Sequence, residues 1–268
     1  IAVLAWLPWG MLAFHRALEG RSLRWAAVAG VLFAVGSYAG HAQSSLIMGL
    51  GLAVYAVAWA LIAPAHERLD ASRRPILGQL LWAVALLATT GILAAMLLAP
   101  ILLPALQGVQ ESVRTDFTYQ ESVAYSLAPA QMVGLFSPSF FGRGPALHWS
   151  LWDRVELPYL GVPALIMTIA ALWIAPAARR RALYPWLALS LFGLLVALGV
   201  YGILHGVLTF IVPFFDQLRA PARMLVLFAL GGAVLAAVGL DLVMKAGVPA
   251  KSGFISFLKW GAILLAGV

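Results

Sequence analysis

The sequence has no cysteine, so no disulfide can staple the chain and no thiolate can serve as nucleophile or metal ligand. Charge is also scarce. Asp, Glu, Lys and Arg make up 10% of the residues, against about 25% in soluble domains whose surfaces face water. With 63% of the chain hydrophobic, a water-soluble globule is excluded. The signatures of soluble nucleotide-binding and hydrolytic enzymes are missing too: no G-x-x-x-x-G-K-[ST] loop, no G-x-G-x-x-G turn and no G-x-S-x-G elbow occurs. His66-Glu-Arg-Leu-Asp70 approaches a zinc-binding helix, but Asp70 stands where the second histidine belongs. No apolar run has a carboxylate near its centre, which argues against an ion-coupled transporter.

What remains is apolar runs at about 1–14, 25–40, 44–63, 76–103, 158–175, 184–200, 222–242 and 255–268. A bilayer is crossed by roughly 20 apolar residues, and backbone amides in hydrocarbon must be satisfied within the segment, which selects helices. The expected fold is an all-α, polytopic membrane bundle of about eight spans, the first and last truncated. It forms a single membrane domain over 1–268. Opening at Ile1 and closing inside an apolar run, the chain reads as a fragment.

The net charge of +7 does not point to nucleic acid, because the basic residues form short clusters between apolar runs and not one soluble face. Their alternation sets topology instead. One set of loops holds 12 Lys and Arg: Arg16, Arg21, Arg24, Arg68, Arg73, Arg74, Arg179, Arg180, Arg181, Lys245, Lys251 and Lys259. The other set holds 5: Arg114, Arg143, Arg154, Arg219 and Arg223. The first set is expected in the cytoplasm. The second lies outside, with the Gly40–Ser45 turn, a long loop at about 104–157 and the segment 201–222. Residues 118–135 could form an amphipathic interfacial helix with Tyr119, Val123, Leu127 and Met132 toward lipid. Trp149, Trp152 and Tyr159 suit the headgroup level.

Candidate site residues fall on the outer side. Arg219 and Arg223 flank Pro221 at a helix entrance; guanidinium groups bind phosphate bidentately, and a helix N-terminus adds N–H donors and a positive dipole. Headgroup snorkelling or a salt bridge to Asp216 would also explain them. His41 and Gln43 at the outer turn either line a ligand cavity or cap the following helix. Asp153 and Glu156 precede the helix that begins near Pro158; the dipole favours carboxylates there, and one could orient an acceptor hydroxyl or hold a divalent metal. Gly36-x-x-x-Gly40 and Gly202-x-x-x-Gly206 read as helix-packing spacings.

Four pieces in order, Gly40-His-Ala-Gln43, Ser137-Pro-Ser-Phe-Phe-Gly142, Glu156-Leu-Pro-Tyr-Leu-Gly161 and Leu218-Arg-Ala-Pro-Ala-Arg223 leading into Ala236-Ala-Val-Gly-Leu-Asp241, resemble the YfhO-like family of bacterial membrane proteins, which belong with the GT-C membrane glycosyltransferases. The resemblance implies a multi-pass protein of the bacterial cytoplasmic membrane. It would transfer sugar from a polyprenyl-phosphate carrier to an acceptor on the outer face. The family's catalytic acid lies in an outer loop preceding the residues present here, so no position carries it over. On this reading Arg219 and Arg223 hold the carrier phosphate, Glu156 and Asp153 orient the acceptor or a metal, and His41 and Gln43 line the cavity among membrane lipids. The alternative is a transporter or flippase for a lipid-linked or small polar substrate, using the same arginines without chemistry.

Overall fold

A computed structural model of the protein describes residues 2–62, 76–110, 118–142, 157–216, 218–245 and Ser256. Regular structure among the described residues is helical, with no strand. The helices are α1 (Leu7–Gly20), α2 (Leu23–Ser37), α3 (Ala42–Ile62), α4 (Ile76–Gln110), α5 (Tyr119–Ser122), α6 (Val162–Ile174), α7 (Ala177–Ala197), α8 (Ile203–Ile211) and α9 (Leu225–Lys245). Short 3-10 turns at Leu4–Trp6, Pro129–Leu135, Gly199–Tyr201 and Pro221–Met224 connect or precede them.

Among the described residues, three helical stretches are long and apolar enough to cross a membrane: Ala42–Ile62, Ile76–Pro104 and Pro221–Lys245. Helices also occupy four further apolar runs, as α1, α2, α6 and α7. Of these, α2 and α6 are apolar helices of 15 and 13 residues, shorter than the roughly 20 needed to span. The run 255–268 lies outside the described residues, apart from Ser256.

Packing is built from small residues, because lipid gives apolar helices no hydrophobic reason to associate and close backbone contact must supply the attraction. Helix α9 packs on α6 and α7, α4 on α2, and α3 on α7 and α4. At the α7–α9 crossing, a Cβ on Gly231 would meet the Trp186 carbonyl at 2.5 Å and one on Gly193 the Met224 carbonyl at 2.7 Å. Only glycine lets these two backbones touch. Small hydroxyls tie the same contacts: Ser190 donates to the Phe228 carbonyl at 2.9 Å, Thr168 to Gly232 at 3.2 Å and Thr90 to Ala26 at 3.0 Å. By contrast, Gly40 lies past the end of α2 with open space beside it, and Gly206 would make only an ordinary 3.7 Å contact with the Tyr119 hydroxyl. The two G-x-x-x-G spacings are therefore not where the tightest helix crossings occur.

Burial separates core from periphery. Phe14, Tyr55, Leu189 and Leu227 are fully buried between α1, α3, α7 and α9. In the apolar window of α4 only 17% is buried, against 50% in α3, so α4 turns Leu77, Leu81, Ile92 and Met96 outward as an uncovered apolar face. Pro100 and Pro104 sit inside α4, which runs on to Gln110; the connecting loop begins later than the expected residue 104. Prolines are tolerated in such helices because neighbouring groups re-satisfy the freed carbonyls.

The expected interfacial helix at 118–135 is not formed. After α5 the chain turns at Tyr125, with φ +63, and resumes as a 3-10 turn at Pro129. Proline has no N–H to continue a helix. Val123 and Leu127 point into protein and are buried. Helix α6 begins at Val162 behind a Gly161 with φ +94, a few residues later than the predicted start near Pro158.

The bundle thus has two distinguishable ends. Asp241 accepts from Arg179 at 2.9 Å and pairs with Lys245 at 2.7 Å at one of them, the basic end. At the other, the loop end, the Leu127 amide donates to the Ala197 carbonyl at 2.8 Å, satisfying one of the carbonyls that the C-terminus of α7 leaves open. Ser126 reinforces this seam, donating to Val123 at 2.6 Å and accepting from the Val200 amide at 3.1 Å.

Candidate functional site

The loop end gathers three of the sequence-predicted residues. Gln43 stands on the first turn of α3, and its side-chain amide is used at both poles: Nε2 donates to the Arg219 carbonyl, while Oε1 accepts from Arg223 Nη1 at 2.5 Å. An amide is suited to this because it carries donor and acceptor on one rigid plane. Arg223 lies in the 3-10 turn Pro221–Met224 that feeds α9. Arg223 is thus bonded to Gln43, and among the described residues the alternative of a salt bridge to Asp216 is not formed.

Arg219 is positioned differently. Its guanidinium carbon lies 5.1 Å from the centroid of the Tyr125 ring, a cation–π contact that fixes the cation without a neutralising carboxylate. Glu121 adds longer-range attraction, but its own carboxylate is occupied in a capping box, accepting from Thr118 N and Oγ1 at 2.9 Å each. Those bonds, with a smaller contribution from Arg219, hold the Glu121 carboxyl below the usual glutamate value. It remains an anion.

Backbone conformation here is unusual. Among the described residues, four non-glycine residues have positive φ: Arg21, Tyr125, Phe214 and Ala220. Three of the four belong to the two segments that meet at Arg219. A left-handed non-glycine residue costs roughly 1–2 kcal/mol, and such outliers concentrate where ligand-handling geometry is over-determined by the surroundings.

His41 takes its capping role. Its Nδ1 accepts from the Ser44 amide at 3.2 Å and pairs with the Ser44 hydroxyl at 2.9 Å, which satisfies a free N–H at the start of α3. The contact to the arginines is made by Gln43. Asp153 and Glu156, and with them the divalent-metal expectation, lie outside the described residues, as do Trp149, Trp152 and His66–Asp70. No group of three or more His, Asp or Glu poised for a metal occurs among the described residues.

Sequence reading did not pair Tyr125 or Glu121 with Arg219, and it passed over His205. That histidine is buried on α8, between the rings of Tyr119 at 6.1 Å and Phe215 at 5.1 Å between centroids. Burial pushes its pKa down. Its Nδ1 has no hydrogen-bond partner among the described residues. An open apolar groove of about 460 Å³ between α3 and α7 lies toward the opposite end of α3, lined by Ala53, Val57, Leu61 and Ala188; it is remote from the arginines and has no polar group to orient a substrate.

No family model, curated protein or solved structure matches the chain.

Proposed function

We propose that the chain is the membrane domain of a multi-pass protein of the bacterial cytoplasmic membrane whose outer end binds a lipid-linked phosphate, as the donor site of a GT-C-type glycosyltransferase. The observation that carries the phosphate reading is the Gln43 amide. It ties the Arg219 backbone and the Arg223 guanidinium together across 176 and 180 residues of sequence. Two cations held at one helix entrance repel each other, and a shared anion relieves that repulsion while using the N–H donors of the entrance. Phosphate is the anionic group available at the surface of a bilayer, singly charged in a sugar-loaded carrier and approaching two charges in the free carrier monoester.

The outer assignment follows from the split of 12 basic residues against 5 between alternate loops, and about eight spans accommodate the alternation. The sugar-transfer step rests on the resemblance to the YfhO-like family. In it Glu156 and Asp153 orient the acceptor hydroxyl or a divalent ion, and no residue of the chain is assigned as the catalytic acid.

The test is saturable binding of polyprenyl phosphate to the protein in nanodiscs, compared with Arg219→Ala/Arg223→Ala. Loss in the double variant, with the helical signal unchanged, supports the site. Binding that survives in the double variant, or that fails in both, removes the assignment. Release of sugar from a polyprenyl-phosphate sugar by the full-length protein then separates a transferase from a transporter that uses the same arginines.

A further inference from the structure

Helix α8 has an apolar face that the bundle leaves uncovered. Ile203 is 86% exposed, Phe210 92% and Ile211 70%. Val207, also exposed, completes a stripe at i, i+4, i+7 and i+8 along the helix, and exposed Phe214 follows in the turn beyond its end. The opposite side of α8 is buried through His205 and Leu208. At 9 residues the helix is about 14 Å long at 1.5 Å per residue, too short for the roughly 30 Å hydrocarbon core. It cannot be a span.

Its surroundings say what covers it. From Ala182 to Phe215 the sequence contains no charged residue, so exposed Leu191 and Leu195 on α7 continue through Val200 and Tyr201 into the α8 stripe without a charged break. A water-facing rim on a soluble docking site would interrupt that path with charge. Charge returns at Asp216 and then at Arg219 and Arg223, both exposed. Exposed Tyr119 and Tyr201 flank the helix, and tyrosines are enriched where hydrocarbon gives way to headgroups. An apolar stripe followed by a step to arginines matches the cross-section of one leaflet: acyl chains, then phosphates.

We infer that α8 is an in-plane anchor in the leaflet at the loop end, with Ile203, Val207, Phe210, Ile211 and Phe214 in the acyl layer and Arg219 and Arg223 held by it at the phosphate layer. The inference rests on the membrane reading of the bundle and is independent of sugar transfer. It moves the interfacial helix from 118–135, where the sequence suggests one, to 203–211. It also assigns a purpose to the depth of the arginines: a carrier phosphate meets them without leaving the headgroup plane.

The absence of native cysteine makes the test clean. Single substitutions Ile203→Cys, Phe210→Cys, Gln120→Cys and Ile92→Cys are spin-labelled in nanodiscs of zwitterionic and anionic phospholipid, and collision rates with oxygen and with a water-soluble nickel chelate are measured. Ile92 lies on the exposed face of α4 and reports whether the bundle is in the bilayer; Gln120 is an exposed polar position on α5. The expected result is an oxygen-to-nickel ratio at Ile203 and Phe210 several-fold above that at Gln120 and below that at Ile92. A ratio equal to that at Gln120 overturns the anchor, since the stripe then faces water. Low collision with both reagents also overturns it, since protein, such as a second copy, then covers the stripe. A low oxygen-to-nickel ratio at Ile92 itself would sink the membrane reading, an outcome distinct from failure of the anchor alone.

Discussion

Gln43 and Arg223 are 180 residues apart in sequence and share a 2.5 Å side-chain hydrogen bond, which links the start of α3 to the start of α9. The same amide holds the Arg219 carbonyl, so one side chain ties the start of α3 both to the backbone that leads into α9 and to the Arg223 cation. Gln43→Ala is expected to cost on the order of 1 kcal/mol of stability, the scale of a hydrogen bond to a charged group discounted for exposure, and to weaken polyprenyl-phosphate binding at unchanged net charge. Gln43→Glu keeps an acceptor for Arg223 but loses the donor to Arg219, and its added negative charge competes with the phosphate. It should bind more weakly than Gln43→Ala despite equal or better thermal stability. Calorimetry and lipid titration on the pair check both statements.

The α5 capping box gives a pH dependence of known sign. Bonds from Thr118 depress the Glu121 value below the ordinary 4.5, so the folded form binds its proton less readily than the unfolded chain. Its contribution is present above 4.5 and is lost as pH falls through the depressed value. Amide exchange at Glu121 and Ser122 should therefore be slow at pH 6 and accelerate only below the ordinary glutamate range. Glu121→Gln retains the capping geometry and should abolish the acid dependence. An acceleration that persists in the glutamine variant would mean another group is responsible.

Much of the architecture was legible in the sequence because a bilayer imposes a simple rule: apolar runs become helices. Helices occur at seven of the predicted runs. The ends were harder. Pro104 reads as a stop, yet α4 passes through it, since a proline removes one intrahelical bond and can kink a helix without ending it. The spacing Gly36-x-x-x-Gly40 reads as packing, and Gly36 does pack, since a Cβ there would meet the Trp6 Cβ at 3.0 Å, whereas Gly40 serves a turn at φ +77. At the site, Arg219, Arg223 and Gln43 were found by asking which polar residues stand outside apolar runs. Tyr125 was not matched to Arg219 because a cation–π contact leaves no complementary charge in the sequence, and 118–135 has helical spacing that Tyr125 and Pro129 break.

Glycines on α4 and α9 make a matched pair for testing the packing account. A Cβ at Gly231 would sit 2.5 Å from the Trp186 carbonyl, while one at Gly91 meets nothing within 4 Å. Gly231→Ala must part α7 from α9, at roughly 1–3 kcal/mol for an overpacked contact. Gly91→Ala should be neutral or stabilising by a fraction of a kcal/mol, because it only restricts the unfolded chain. Thermal unfolding in one detergent compares them directly, and a Gly231→Ala variant as stable as Gly91→Ala would overturn the packing account, since helix propensity alone favours alanine at both positions.

At the basic end, a chain of polar groups enters the core where the sequence suggests only apolar helices. Glu19 lies 3.3 Å from His15 Nε2, and His15 Nδ1 is 2.7 Å from the hydroxyl of fully buried Tyr55. The arrangement is satisfied when Nε2 carries the ring proton and donates to Glu19 while Tyr55 donates to Nδ1. The two ends of the His15–Tyr55 bond are unequally sheltered. Tyr55→Phe bares Nδ1 of a partly exposed imidazole that water can reach, and should cost about 1 kcal/mol. His15→Ala strands a phenol O–H beside Trp186, whose ring centroid is 4.4 Å from that of Tyr55, and opens a cavity as well; about 2–4 kcal/mol is expected from the unmet donor and the lost packing. Removing the stranded donor as well, in His15→Ala/Tyr55→Phe, should recover about 1 kcal/mol of that loss. A double variant no more stable than His15→Ala would mean that cavity formation, and not the stranded hydroxyl, sets the cost.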